Sequence, residues 1–154
     1  AVVAERIGFS NVSFLEGAIE ALDAPGLDGA ALIADASVDL VLSNCVLNLV
    51  NPSARQRLLN NIRRVLRPAG RVAISDIVCD RPVPLALQQD PELWSGCISG
   101  AWEEQAFLND FKSLGFEAVS YADRSEQPWK VVEGIEFRAV TLVGALPGSG
   151  RSCC

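Results

Sequence analysis

Five cysteines, at positions 45, 79, 97, 153 and 154, are the side chains of this chain best suited to chemistry. The chain has no histidine, which removes Ser–His and Cys–His nucleophile pairs and imidazole-held metals together. Its thiols are left either to pack as small apolar groups or to act at a site. The sharpest case is Cys45. In VLSNCVLNLV an apolar run that reads as a buried strand breaks at Ser43-Asn44-Cys45, leaving a thiol where the strand ends. No CxxC pair occurs and the cysteine count is odd, so the spacing suggests no secreted disulfide framework. Reduced thiols in a cytoplasmic protein are the expectation.

The elements that would position Cys45 are legible around it. VDLVLSN (38–44) reads as a near-continuous apolar run, the pattern of a strand covered on both faces of a parallel sheet. Asn51-Pro52 supplies a helix N-cap with proline at the first helical position. Leu58, Leu59, Ile62, Val65 and Leu66 then recur at helical spacing, with Arg57, Asn60, Asn61, Arg63 and Arg64 between them. Pro68-Ala69-Gly70 stops that helix, and RVAISDIV (71–78) reads as the next strand. Strand, helix, turn and strand make a right-handed βαβ unit.

NVSFLEGAI (11–19) reads as a further strand before it. Residues 23–37 read as a surface loop with a turn of helix at 30–34. Beyond the unit, residues 80–94 form an irregular cover with short helical pieces. Ser99 is expected to cap a helix over 101–114, with Phe107, Leu108, Phe111 and Leu114 on its buried side and Gly115 past its end. Residues 116–122 and 136–146 read as two closing strands joined by a polar connection. In doubly wound α/β sheets ligands bind beyond the carboxyl ends of the strands. That rule puts Glu16–Glu20, Ser43–Cys45 and Asp76–Cys79 on one rim, so topology alone makes Cys45 a candidate.

Composition bounds the rest. At 154 residues and 49% hydrophobic, one core is affordable and two domains are not. A net charge of −6 argues against nucleic acid, which needs a basic stripe. No stretch approaches the ~18 apolar residues of a membrane span. AVVAERIGF shows no basic region followed by a sustained apolar run, so no signal peptide is expected. With no methionine even at position 1, the chain is not expected to begin at a native start.

Four stretches carry a family resemblance: DLVLSNCVLNLV, RVLRPAGRVAISDI, DPELWSGCISGAW and FKSLGF. Together they resemble the arsenite methyltransferases, a class I S-adenosylmethionine-dependent family, from about residue 5 to about residue 146. RVLRPAGR alone is common to the wider superfamily; SNCVLNL with LWSGCISGA is specific. The resemblance implies a Rossmann-like α/β sheet, mostly parallel with an antiparallel last strand, and transfer of a methyl group from S-adenosylmethionine to thiolate-bound As(III). It assigns Cys45 and Cys97 to the arsenic as catalytic ligands, which suits a soft thiophilic centre. Cofactor contacts carry over to Gly17, Ile19, Glu20, Ser43 and Asn44, although Ala18 stands where the family commonly has Asp. Cys79 is not required by the motif and reads as packing. Cys153-Cys154 is similar to cysteine pairs in the tails of some members.

Other family features are missing. The glycine-rich Asp-x-Gly-x-Gly loop is nowhere in the chain, nor is the acidic residue that grips the ribose. Residues 1–10 read as the tail of the helix before the third strand, so the first two strands are expected to be missing. The expectation is a partial methyltransferase domain over 1–146 and a flexible cysteine-bearing tail over 147–154. Such a chain should bind S-adenosylmethionine poorly, and its exposed sheet edge favours a homodimer. The alternatives are a methyltransferase acting on another small molecule, or a non-catalytic remnant that binds a soft metalloid or a partner.

Overall fold

A computed structural model of the chain describes residues 6–26 and 29–148. Cys153, Cys154 and most of the expected tail lie outside the described residues, as do residues 1–5 of the expected leading helix.

The βαβ unit forms where the sequence puts it. Strand β1 is Val38–Asn44, helix α1 is Arg55–Val65 and strand β2 is Leu66–Cys79. The two strands pair in parallel, Leu40 opposite Arg71 through Asn44 opposite Ser75. Asn51 accepts the Ser53 amide and starts a short 3-10 turn, Pro52–Ala54, that leads into α1. Leu58, Leu59, Ile62 and Val65 are buried along one side of α1. Each such side chain contributes about 1.5–3 kcal/mol by leaving water. The Pro-Ala-Gly stretch is not a turn outside the strand. β2 begins at Leu66, directly after the helix, and carries residues 68–70 as an irregular extension. Ala69 there has φ of +62°, its amide donates to Pro147, and Leu146 donates to Gly70.

Beyond β2 come two short helices, α2 (Leu85–Gln88) and α3 (Pro91–Ser95), in the segment expected as an irregular cover. Then follow β3 (Trp102–Glu103), α4 (Glu104–Ser113), β4 (Glu117–Arg124), β5 (Lys130–Val132) and β6 (Ile135–Ala145). Sheet order is β1-β2-β6-β4, with β3 beside β2 and β5 beside β6. β6 runs antiparallel to β2, β4 and β5, while β1 and β3 run parallel to β2. This is the expected sheet, parallel in sense except for its last strand.

Other expectations need correcting. Residues 11–19 form no strand; Val12, Phe14 and Leu15 are exposed, and none of them meets a neighbouring strand among the described residues. A strand exists only through its ladder, which this stretch lacks. Residues 30–34 hold no helical turn but an isolated bridge between Pro25 and Ala31. Ser99 does not cap α4. It is buried and donates to Leu87 and Asp90, tying down the cover, and Glu103 caps α4 by accepting the Gln105 and Ala106 amides. Finally, the polar connection contains β5, which turns into β6 through Glu133-Gly134, both at positive φ. That is the geometry of a two-residue hairpin turn.

The sheet is covered unevenly. α1 and α4 bury one face, where Trp102, Phe107, Phe111 and Phe116 form a row of tilted and edge-on rings with successive centroids 5.4, 5.5 and 5.6 Å apart. On the other face the cover segment packs over Ile77, Cys79 and Phe137, at the carboxyl end of β2. The rest of that face is open: Leu40 and Leu42 of β1 are exposed and line a shallow groove of about 400 Å³. β1 is thus half-buried on one face and open on the other, not covered on both, and among the described residues it pairs only with β2.

Candidate functional site

The carboxyl end of β1 delivers Cys45. Its amide donates to Ser75 at 2.9 Å and extends the ladder one residue past Asn44. There the chain turns sharply: Cys45 has φ of +53°, a left-handed backbone that costs a non-glycine residue about 1–2 kcal/mol. The turn aims the following residues under the sheet, where Leu47 and Asn48 are fully buried in a 3-10 turn. Cys97 arrives from the cover segment just past α3 and is also left-handed, at φ of +59°. Strain of this kind is retained where the surrounding packing over-determines it and clusters at functional sites.

The two cysteines, 52 positions apart in sequence, meet. The Sγ atoms of Cys45 and Cys97 and a carboxylate oxygen of Asp76 all lie within 4.8 Å of one another. Cys97 Sγ also approaches the Cys45 carbonyl at 3.7 Å. Cys45 is exposed and Cys97 is 8% exposed, so the pair has one open side and one sealed side.

Asn48 holds this arrangement together. Its amide Nδ2 donates to Ile77 O at 2.7 Å and to Cys97 O at 3.2 Å, while its backbone N–H reaches Asp76 Oδ2 at 3.3 Å. One side chain thereby pins the Cys45 turn to both β2 and the Cys97 loop. Gly100 permits the approach, because a Cβ there would lie 1.8 Å from Asn48 O. Arg55 closes the back of the site, its guanidinium 3.8 Å above the Trp102 ring and bonded to Gly100 O.

Burial sets the protonation of these groups. It raises the Cys45 thiol, and the Asp76 carboxylate raises it further; a hydrogen bond with Cys97 opposes both. Cys97 is pushed up to about 11 by burial, then by Asp76 and Cys45. Asp76 is itself raised by burial, against the amides of Ile77, Asn48 and Leu47. Reactive catalytic cysteines sit in electropositive surroundings. Here an anionic neighbour favours neutral thiols, the opposite of an activated nucleophile. Cys79 is outside this cluster: it is buried, donates to Trp102 O at 3.1 Å, and is pushed up to about 12 by burial. It packs.

The five residues expected to contact a cofactor are spread over three segments. Gly17 lines an open cavity of about 980 Å³ together with Phe14, Glu16, Ala18 and Leu32. Ile19 and Glu20 form the adjacent 3-10 turn, where the Glu20 carbonyl accepts from Asn61 Nδ2. Ser43 and Asn44 end β1, and neither they nor the two cysteines line that cavity. Among the described residues the expected cofactor contacts are thus divided between that cavity, the 3-10 turn and the end of β1. Topology puts Asp76 on the rim, but its residue type and spacing point to no role. Asn48 carried a signal: an isolated amide three residues after Cys45 in an otherwise apolar run.

Comparison with known proteins decides the family. The profile described as "Methyltransferase domain" matches residues 2–125. The chain belongs to the methyltransferase domain family. Among curated relatives, the arsenite methyltransferase of Halobacterium salinarum is 45% identical over 98 residues, which is 61% of this chain and 24% of that protein. The human arsenite methyltransferase is 39% identical over 116 residues, 73% of this chain and 28% of the relative. This methyltransferase domain thus spans about a quarter of the length of those relatives. In three dimensions it is similar to CrArsM, an arsenic(III) S-adenosylmethionine methyltransferase from Chlamydomonas reinhardtii. The TM-score is 0.74 at 31% identity, covering 93% of this chain and 46% of the other.

Proposed function

We propose that this chain is part of an arsenite methyltransferase, and that Cys45 and Cys97 hold the As(III) that receives the methyl group. The observation that carries the reading is the convergence of the two thiols at the rim of the sheet. It is supported by the similarity of the chain to arsenite methyltransferases.

Capture balances without acid or base. Arsenous acid exchanges two hydroxides for two thiols; each hydroxide leaves as water with one thiol proton, and two As–S bonds form. No net proton is released, so raised thiol pKa values do not oppose binding. The third position of the pyramid stays with hydroxide or a small-molecule thiolate. The arsenic lone pair is left as the nucleophile, and fixing it in place supplies acceleration through orientation. S-adenosylmethionine supplies the methyl group; this chain's residues supply the metalloid side.

The domain occupies residues 1–146, with 147–154 as a cysteine-bearing tail. The protein acts in the cytoplasm. Among the described residues no helix is long and apolar enough to cross a membrane. The unpaired edge of β1, flanked by exposed Leu40 and Leu42, pairs with a second copy in a homodimer. Light scattering after size exclusion tests that last point: a dimer that Leu42→Lys dissociates supports it, and a monomer at all concentrations refutes it.

Intact mass measurement with As(III) tests the function, with Cys153 and Cys154 replaced by Ser so that the tail does not contribute. One bound arsenic, lost in both Cys45→Ser and Cys97→Ser, is expected. Retention of arsenic by both variants would refute the reading.

A further inference from the structure

Arsenic does not explain Asp76. This carboxylate is 3% exposed and takes part in no ion pair among the described residues. Its hydrogen bonds come from the amides of Ile77 at 2.9 Å and Asn48 at 3.3 Å, and the Leu47 amide also favours its charged form. Arg55 lends attraction from a distance, but its own bond goes to Gly100. Buried carboxylates are ordinarily paired with a cation or coordinate a metal. This one instead stands beside two thiols whose ionisation it opposes. A soft trivalent centre gains little from a hard oxygen donor, so the arsenic reading leaves that oxygen unused.

We propose that Cys45, Cys97 and Asp76 form a site for a divalent, borderline-soft cation of the zinc class, held by two sulfurs and one oxygen with a fourth position open. The donor types fit, because zinc accepts thiolate and carboxylate together. The size fits as well. Tetrahedral coordination at about 2.3 Å to sulfur and about 2.0–2.2 Å to oxygen brings donors within roughly 3.5–3.8 Å of each other. The three atoms already lie within 4.8 Å, so closing the site takes a shift of about 1 Å in side chains, one of them the exposed Cys45. Binding forms two Zn–S bonds and one Zn–O bond and sends two thiol protons to solvent. The ion therefore competes with As(III) for the same sulfurs, and only the divalent ion uses Asp76.

That difference supplies the test. Zn²⁺ is titrated into the reduced full chain against a chromophoric chelator, and As(III) binding is measured alongside by intact mass. One zinc per chain is expected, released by As(III) and retained when Cys153 and Cys154 are both Ser. Asp76→Asn, which keeps the shape and one of the two amide contacts, should weaken zinc at least about tenfold, while As(III) affinity changes by less than about threefold. Co²⁺ provides a second readout on the unmutated chain, through intense tetrahedral visible bands with thiolate charge transfer. The proposal is overturned by no zinc in the unmutated chain, by zinc that vanishes with the tail cysteines, by equal zinc affinity in folded Asp76→Asn, or by octahedral Co²⁺ bands. Zinc binding without arsenic binding would sink the methyltransferase reading and leave this one standing.

Discussion

Replacing Asn48 by Ala removes the one side chain that joins the Cys45 turn, β2 and the Cys97 loop. The cost follows from the groups left behind. The carbonyls of Ile77 and Cys97 each lose the amide donor, in a place where Asn48 itself is 0% exposed. A buried polar group stripped of its partner costs about 1–3 kcal/mol. Asn48 Oδ1, however, is already buried without a partner, so its removal gives some of that back. The net loss is about 2–4 kcal/mol, within the roughly 5–15 kcal/mol by which a domain is stable. The variant should therefore fold and unfold early, its urea midpoint lowered by about 1–2 M. Its thiols should also lose register. A bimane reagent that fluoresces only after bridging two thiols should link Cys45 to Cys97 in the parent and far more slowly in the variant. A midpoint unchanged within the error of the fit, with bridging at the parental rate, would refute the clamp.

Further outcomes follow from the same site. Gly100→Ala sets a Cβ against Asn48 O and should cost about 1–3 kcal/mol; an unchanged thermal midpoint would show that the backbone gives way freely. Iodoacetamide at neutral pH should modify exposed Cys45 first, Cys97 slowly and Cys79 last, with the Cys97 rate climbing as pH rises towards about 11. Peptide mapping reads the order, and equal rates would contradict it. Cys79 also ties stability to alkaline pH. Its folded pKa is raised from 9.0 to about 12, so the unfolded chain gives up the proton first. The contribution is complete below pH 9.0 and is lost as pH climbs towards about 12. Denaturant midpoints that stay flat across that interval would refute the burial argument.

How far the sequence reached depended on how local each feature was. β1, α1 and β2 were readable because apolar runs, an Asn-Pro cap and 3.6-residue spacing are written in consecutive residues. The reversed sense of β6 came from the family resemblance, not from periodicity. What failed depended on partners distant in the chain. Residues 11–19 have the composition of a strand but no ladder to join, and Ser99 looked like a cap while serving the carbonyls of Leu87 and Asp90. β5 was missed because Glu133-Gly134 is a weak turn signal next to Asn-Gly or Asp-Gly. At the site, Cys45 was legible from topology and Cys97 from the motif, but their approach required a fold that closes 52 positions of chain. Asp76 and Asn48 acquire meaning only from what they touch.

Arsenic K-edge X-ray absorption on the chain with both tail cysteines replaced by Ser, free of small thiols, tests the central claim most directly. Two sulfur neighbours per arsenic, falling to one in either Cys45→Ser or Cys97→Ser, is the predicted result. A single sulfur in the parent, or two sulfurs that survive both substitutions, would contradict the account.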